Sequence, residues 1–219
     1  MRLTAQMRGP GRSMELSETS RARARGLGAS AKLIVIAAST GGPSALRSLI
    51  LNLPAELAVP VVVVQHLPPS FVVSFARQLD RAAPIDVRLA VSGAPASAGT
   101  VWFAPGGAHL GLRRGPDGAL LFQPRPGPPL AGCLPAADVL FEAAAQTCGR
   151  ACLGVVLSGM GRDGSKGARE IVAAGGKVLV QDQASSTVWG MPGSVLRAGV
   201  EAQVVALEHM ANELQRAAS

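Results

Sequence analysis

Tyrosine is absent from the chain, and aromatic residues make up only 3% of its 219 positions. The core must therefore be aliphatic, and an aromatic platform for stacking single-stranded nucleic acid is not expected. Cysteine is scarce: Cys133, Cys148 and Cys152 are odd in number, and no pair has zinc-ligand spacing. They read as buried or free thiols of a reducing cytoplasm. No metal and no cofactor is expected. No apolar run reaches the length needed to cross a bilayer, so direct membrane insertion is not expected either.

The formal charge of +7 is unevenly placed. Residues 1–32 carry seven basic and two acidic side chains, whereas residues 33–219 carry 14 basic and 12 acidic ones. The basic character belongs to a leader or linker over residues 1–31, whose "RARARG" lacks an apolar face. The rest is nearly neutral, which argues against a nucleic-acid-binding core.

What is present is alternation. "KLIVIAAS" (32–39) and "VPVVVVQH" (59–66) are β-branched runs too apolar for half-exposed strands, so they suit parallel strands covered on both faces. A helix is expected over 43–51. Another is expected over 68–82, with Pro69 near its start and Ser70 as its cap. Four short β segments follow at 87–91, 100–107, 109–114 and 119–124, with "GPDG" (115–118) as a hairpin turn between the last two. They predict an antiparallel β element. A Pro/Gly-rich loop (124–132) leads to a helix over 136–148. Strands at 151–157, 177–181 and 203–206 then alternate with helices at 164–174, 192–199 and 207–217. The expected fold is α/β: a doubly wound, mostly parallel sheet with an attached antiparallel β-hairpin.

Ligands of such sheets bind beyond the carboxyl ends of the strands. Three of those loops carry Ser39 in "ASTGG", His66 in "QHLPP" and Asp163 in "GMGRDG". A serine hydroxyl needs an imidazole to take its proton. The imidazole needs a carboxylate to fix its tautomer, and the attacked carbonyl needs N–H donors where negative charge develops. Each residue also has a plainer reading. Ser39 and Thr40 are plausible helix caps, His66 a loop histidine bonded to backbone, and Asp163 a cap for the helix near Gly164. The "STGG" turn suits a phosphate at a helix start, but neither G-x-x-x-x-G-K-[ST] nor G-x-G-x-x-G follows the first strand. "AASTG" is not G-x-S-x-G, and the order Ser…His…Asp differs from that of the α/β-hydrolases.

Six blocks, in order "IAASTGGPSAL", "VVVVQHLPPSFVVSFARQL", "VWFAPGGAHL", "DVLFEAAA", "VVLSGMGRDGSKGA" and "VLVQDQASSTVWGMPGSV", resemble the catalytic domain of bacterial chemotaxis protein-glutamate methylesterases (the CheB type) over about residues 32–206. The resemblance implies a cytoplasmic serine hydrolase. It would cleave γ-methyl esters of glutamates on chemoreceptor cytoplasmic helices, release methanol, and deamidate receptor glutamines. It places Ser39 as nucleophile, His66 as base and Asp163 as orienting carboxylate. Backbone N–H groups near Met160 and Gly161 match its oxyanion donors, Thr40 has a supporting place, and Met191 is structural or at the rim. Arg77, Arg162 and Lys166 are candidates to meet an acidic receptor surface, against the reading that they are ordinary solvated charges. His109 reads as a loop histidine, and Trp102 and Trp189 as packing.

The chain departs from the family pattern at Ala37 for a usual glycine, at "CLPAAD" before the fourth block, and at Gln183 for a common glutamate. Residues 1–31 are too short for the family's receiver domain, so regulation is expected from a separate protein. The rival readings are a non-catalytic receptor-docking module of this fold and a phosphate or nucleotide binder.

Overall fold

The computed structural model describes residues 30–219. The basic segment expected over 1–31 lies outside them, except for Ser30 and Ala31. Those two belong to the fold: the Ala31 N–H donates to the Ala217 carbonyl (2.7 Å), and Ala31 is buried.

The apolar runs become the central strands. β1 (Leu33–Ala38) and β2 (Val61–Gln65) are buried at every position, as strands covered on both faces must be. Around them stand β3 (Asp86–Leu89), β4 (Thr100–Phe103), β7 (Cys152–Val156), β8 (Lys177–Gln181) and β9 (Gln203–Val205). All pair in parallel, in the order β3-β4-β2-β1-β7-β8-β9. The antiparallel expectation holds only for β5 (His109–Arg114) and β6 (Leu120–Arg125), which form a hairpin through the 115–118 turn. The segments at 87–91 and 100–107 instead extend the main sheet. Each follows a crossover rather than a tight turn, and crossovers make parallel neighbours.

Helices α1 (Gly42–Ile50), α2 (Pro69–Asp80) and α6 (Leu207–Ala218) cover one face through Leu46, Leu49, Val72, Leu79, Met210 and Leu214. Helices α3 (Ala137–Cys148), α4 (Ser165–Ala173) and α5 (Gly190–Arg197), with the hairpin, cover the other through Leu140, Phe141, Ile171, Val195 and Phe122. Each fully buried large side chain contributes roughly 1.5–3 kcal/mol.

Strand order reverses at β1, whose neighbours are β2 and β7. This is the switch point where an open α/β sheet leaves a crevice for a ligand.

Candidate active site

The register determines which residues meet. Ala38 pairs with Gln65 across β1 and β2, so Ser39 and His66 emerge side by side at the carboxyl ends of neighbouring strands. The His66 N–H donates to the Ala38 carbonyl (3.0 Å), and the Ser39 N–H donates to the Ser158 carbonyl beyond β7 (3.0 Å). The chain then turns sharply: the Gly42 N–H bonds back to the Ser39 carbonyl at 2.7 Å. That turn needs Gly41, which has φ +78° and whose added Cβ would lie 2.5 Å from Thr187 Cβ.

The plainer readings of the three loop residues are not realised. α1 is capped by Gly41 with no side-chain bond, so neither Ser39 nor Thr40 caps it. Among the described residues the His66 ring bonds no backbone group; its Nε2 lies 2.8 Å from Asp163 Oδ2. Asp163 does accept from the Gly164 N–H (3.0 Å), but its carboxylate also takes the first amides of a different helix, Ala137 (2.7 Å) and Asp138 (3.0 Å) of α3. A carboxylate at a helix N-terminus is stabilised by those donors and by the helix dipole. Asp138 reciprocates by accepting from the Gly167 N–H of α4 (2.7 Å). α3 and α4 are thus clasped by two crossed carboxylates, and one of them orients His66.

Burial pushes the Asp163 carboxyl up, but the hydrogen bond from His66 and the amides of Ala137 and Asp138 outweigh it, so it titrates below the ordinary aspartate range. It is therefore an acceptor-only carboxylate at neutral pH, which places the His66 proton on Nε2 and leaves Nδ1 as the basic nitrogen. Asp138 goes the other way. Burial is the largest cause, and it outweighs the Gly167 amide and raises the carboxyl.

The third limb differs from the expectation. Ser39 is half-buried beside His66, but its Oγ makes no hydrogen bond among the described residues. The atom found at His66 Nδ1 is Cys133 Sγ, at 3.7 Å. Cys133 lies 67 residues from His66 in sequence, and no local motif joins them. Burial, then the charges of Asp163 and Asp138, raise its thiol above the usual value.

Gln65, a polar residue that ends an apolar strand and belongs to no motif, is 2% exposed. Its Nε2 donates to the carbonyls of Ser39 (3.1 Å) and His66 (3.3 Å), tying the two strand ends together. Ser158 is a second such residue. Its Oγ donates to the Thr40 carbonyl (2.8 Å) and accepts from the Val188 N–H (3.0 Å).

Met160 and Gly161 lie in the loop after β7, and neither backbone N–H donates to a protein acceptor among the described residues. Thr40 is exposed at the turn. Arg162 and Lys166 are exposed on either side of Asp163, whereas Arg77 sits two turns down α2, away from the strand ends. Met191 is fully buried in α5. His109 lies at the start of β5 rather than in a loop. It is 4% exposed, its Nδ1 accepts from the Ala136 N–H and its Nε2 bonds the Pro128 carbonyl. It is a structural pin for the loop that carries Cys133. Trp102 is buried and bonds the Ser97 carbonyl, and Trp189 bonds the Gln181 carbonyl.

An oriented histidine–aspartate pair beside a strand-end serine, at the switch point of a doubly wound sheet, is the component set of a nucleophilic hydrolase. The chain belongs to the CheB methylesterase family, whose model matches residues 34–214. It is 50% identical over 185 residues to a Nocardioides "protein-glutamate methylesterase/protein-glutamine glutaminase", covering 84% of this chain and 50% of that protein. It is 44% identical over 186 residues to the protein of the same name from Trichodesmium erythraeum, covering 84% and 52%. The chain thus spans about half the length of these curated relatives. The crystal structure of the Thermotoga maritima CheB methylesterase catalytic domain superposes with a TM-score of 0.82 at 37% identity, covering 85% of this chain and 98% of that one.

Proposed function

We propose that this chain is a serine esterase that hydrolyses γ-methyl esters of glutamate on chemoreceptor cytoplasmic helices, releasing methanol. By the same route it deamidates glutamine side chains. The observation that carries the reading is the 2.8 Å His66–Asp163 bond, formed beside Ser39 by strand register. The names of the relatives supply the substrate class.

In the reaction, Ser39 Oγ turns to His66 Nδ1, gives up its proton and attacks the ester carbonyl. Asp163 holds Nε2–H and stabilises the imidazolium. The backbone N–H groups of Met160 and Gly161, which donate to no protein acceptor among the described residues, donate to the developing oxyanion. The imidazolium then protonates the departing methoxide, and methanol leaves. Water, deprotonated by the same nitrogen, hydrolyses the acyl-serine to the free glutamate. Met160 and Phe71, 74% and 63% exposed at the rim, offer apolar contacts to the substrate helix. Arg162 and Lys166 face its acidic side chains. The setting is cytoplasmic, and among the described residues no helix is long and apolar enough to cross a membrane. Residues 32–219 form the catalytic unit.

The test is methanol release from methylated receptor fragments. Wild-type protein should release it, and folded Ser39→Ala protein should not. Release by Ser39→Ala at the wild-type rate refutes the assignment. Receptor binding by wild-type protein without methanol release would favour a docking module instead.

A further inference from the structure

Cys133 has no place in that mechanism, yet its sulfur lies at the nitrogen the mechanism uses. Ligand atoms of His66, Cys133 and Asp163 all lie within 4.8 Å of one another. The sulfur is carried on a pinned loop. Leu130 and Cys133 exchange backbone hydrogen bonds (3.1 and 2.9 Å), and His109 ties the loop at both Pro128 and Ala136.

A tetrahedral zinc ion, with its usual bond lengths to imidazole and thiolate, holds those two donor atoms about 3.6 Å apart. The observed separation of Nδ1 and Sγ is 3.7 Å. The far nitrogen of the same ring already donates to a carboxylate, which is the outer-shell arrangement of most metal-bound histidines. Asp163 takes three backbone amides as well, so it suits that outer role better than a direct one.

We propose that His66 Nδ1 and Cys133 Sγ form a binding site for a thiophilic divalent cation, zinc or cadmium, with water completing the coordination. Binding exchanges the thiol proton for the metal and releases it to solvent. The ion occupies the lone pair that Ser39 requires. Inhibition therefore follows, and that consequence alone rests on the esterase reading.

Cadmium chloride titrated into the full chain, without substrate, tests the site through the ultraviolet thiolate-to-cadmium absorption band and calorimetry. One equivalent should bind with the band. Cys133→Ser should abolish the band, and His66→Gln should weaken binding at least ~10-fold, given that outer-shell changes alone cost 10–100-fold. Cys148→Ser should bind as wild type does. No band in wild type, a wild-type band in Cys133→Ser, or undiminished affinity in His66→Gln would each overturn the proposal. Zinc should also inhibit methanol release by wild type reversibly on chelation, and leave Cys133→Ser active. Equal inhibition of Cys133→Ser would count against the site even if the band were seen.

Discussion

Replacing Asp163 by alanine and by asparagine should separate its two duties. The carboxylate accepts from the backbone amides of Ala137, Asp138 and Gly164, and from His66. Alanine leaves three amides without this acceptor, and the two buried ones, of Ala137 and Gly164, cost about 1–3 kcal/mol each, or roughly 2–6 kcal/mol together. Against a typical domain stability of about 5–15 kcal/mol, that brings the fold near its limit. Asparagine keeps the shape. Its Oδ1 still serves Asp138 and Gly164, so about 1–3 kcal/mol is lost at Ala137. Its amide nitrogen, however, faces His66 Nε2 with a donor. The imidazole must then move its proton to Nδ1 and can no longer take one from Ser39. An inverted tautomer of this kind costs on the order of 10⁴ in kcat. Guanidinium unfolding and methanol release on the same preparations would read both effects. Asparagine protein that is folded and keeps more than a tenth of wild-type kcat would refute the tautomer argument. Alanine protein as stable as wild type would refute the clasp between α3 and α4.

Gly167→Ala should destabilise by about 1–3 kcal/mol in denaturant unfolding, because overpacking forces shifts and the new Cβ would lie 2.4 Å from Phe141 Cβ and 3.0 Å from the Asp138 carbonyl oxygen. Gln65→Met, close in size, should lower kcat more than it raises KM, since Nε2 ties the Ser39 and His66 carbonyls; unchanged kcat would reduce Gln65 to packing. Because folding lowers the Asp163 pKa, its stabilisation is complete above the unfolded value of about 3.9 and is lost as pH falls through the folded value. Acid unfolding below about pH 4 should therefore be shallower in Asp163→Asn than in wild type, as followed by circular dichroism.

The sheet was legible wherever burial was total. The unbroken apolar runs of β1 and β2 leave only strands covered on both faces. The "GPDG" turn marks the β5–β6 hairpin because turn chemistry is local. The segments now forming β3 and β4 have only four residues each, and nothing in so short a run distinguishes a parallel strand from a hairpin arm. The nearness of His66 to Asp163 was inferable from both standing at strand ends. That Asp163 also caps α3, and that Ser70 lies inside α2 with no capping bond, depend on helix placement that no local pattern records. Cys133 and Gln65 escaped for a related reason. One reaches the site on a Pro/Gly-rich loop fixed by distant His109, and the other is a polar residue at the end of an apolar strand, whose partners are backbone carbonyls.

If the His66–Asp163 pair makes Ser39 nucleophilic, intact-protein mass spectrometry after treatment with an alkyl fluorophosphonate reads it directly. One adduct should form, mapping to Ser39. It should be absent from Ser39→Ala and at least ~100-fold slower in His66→Gln, the scale of general-base assistance. An adduct at another residue, or equal rates with and without His66, would contradict it.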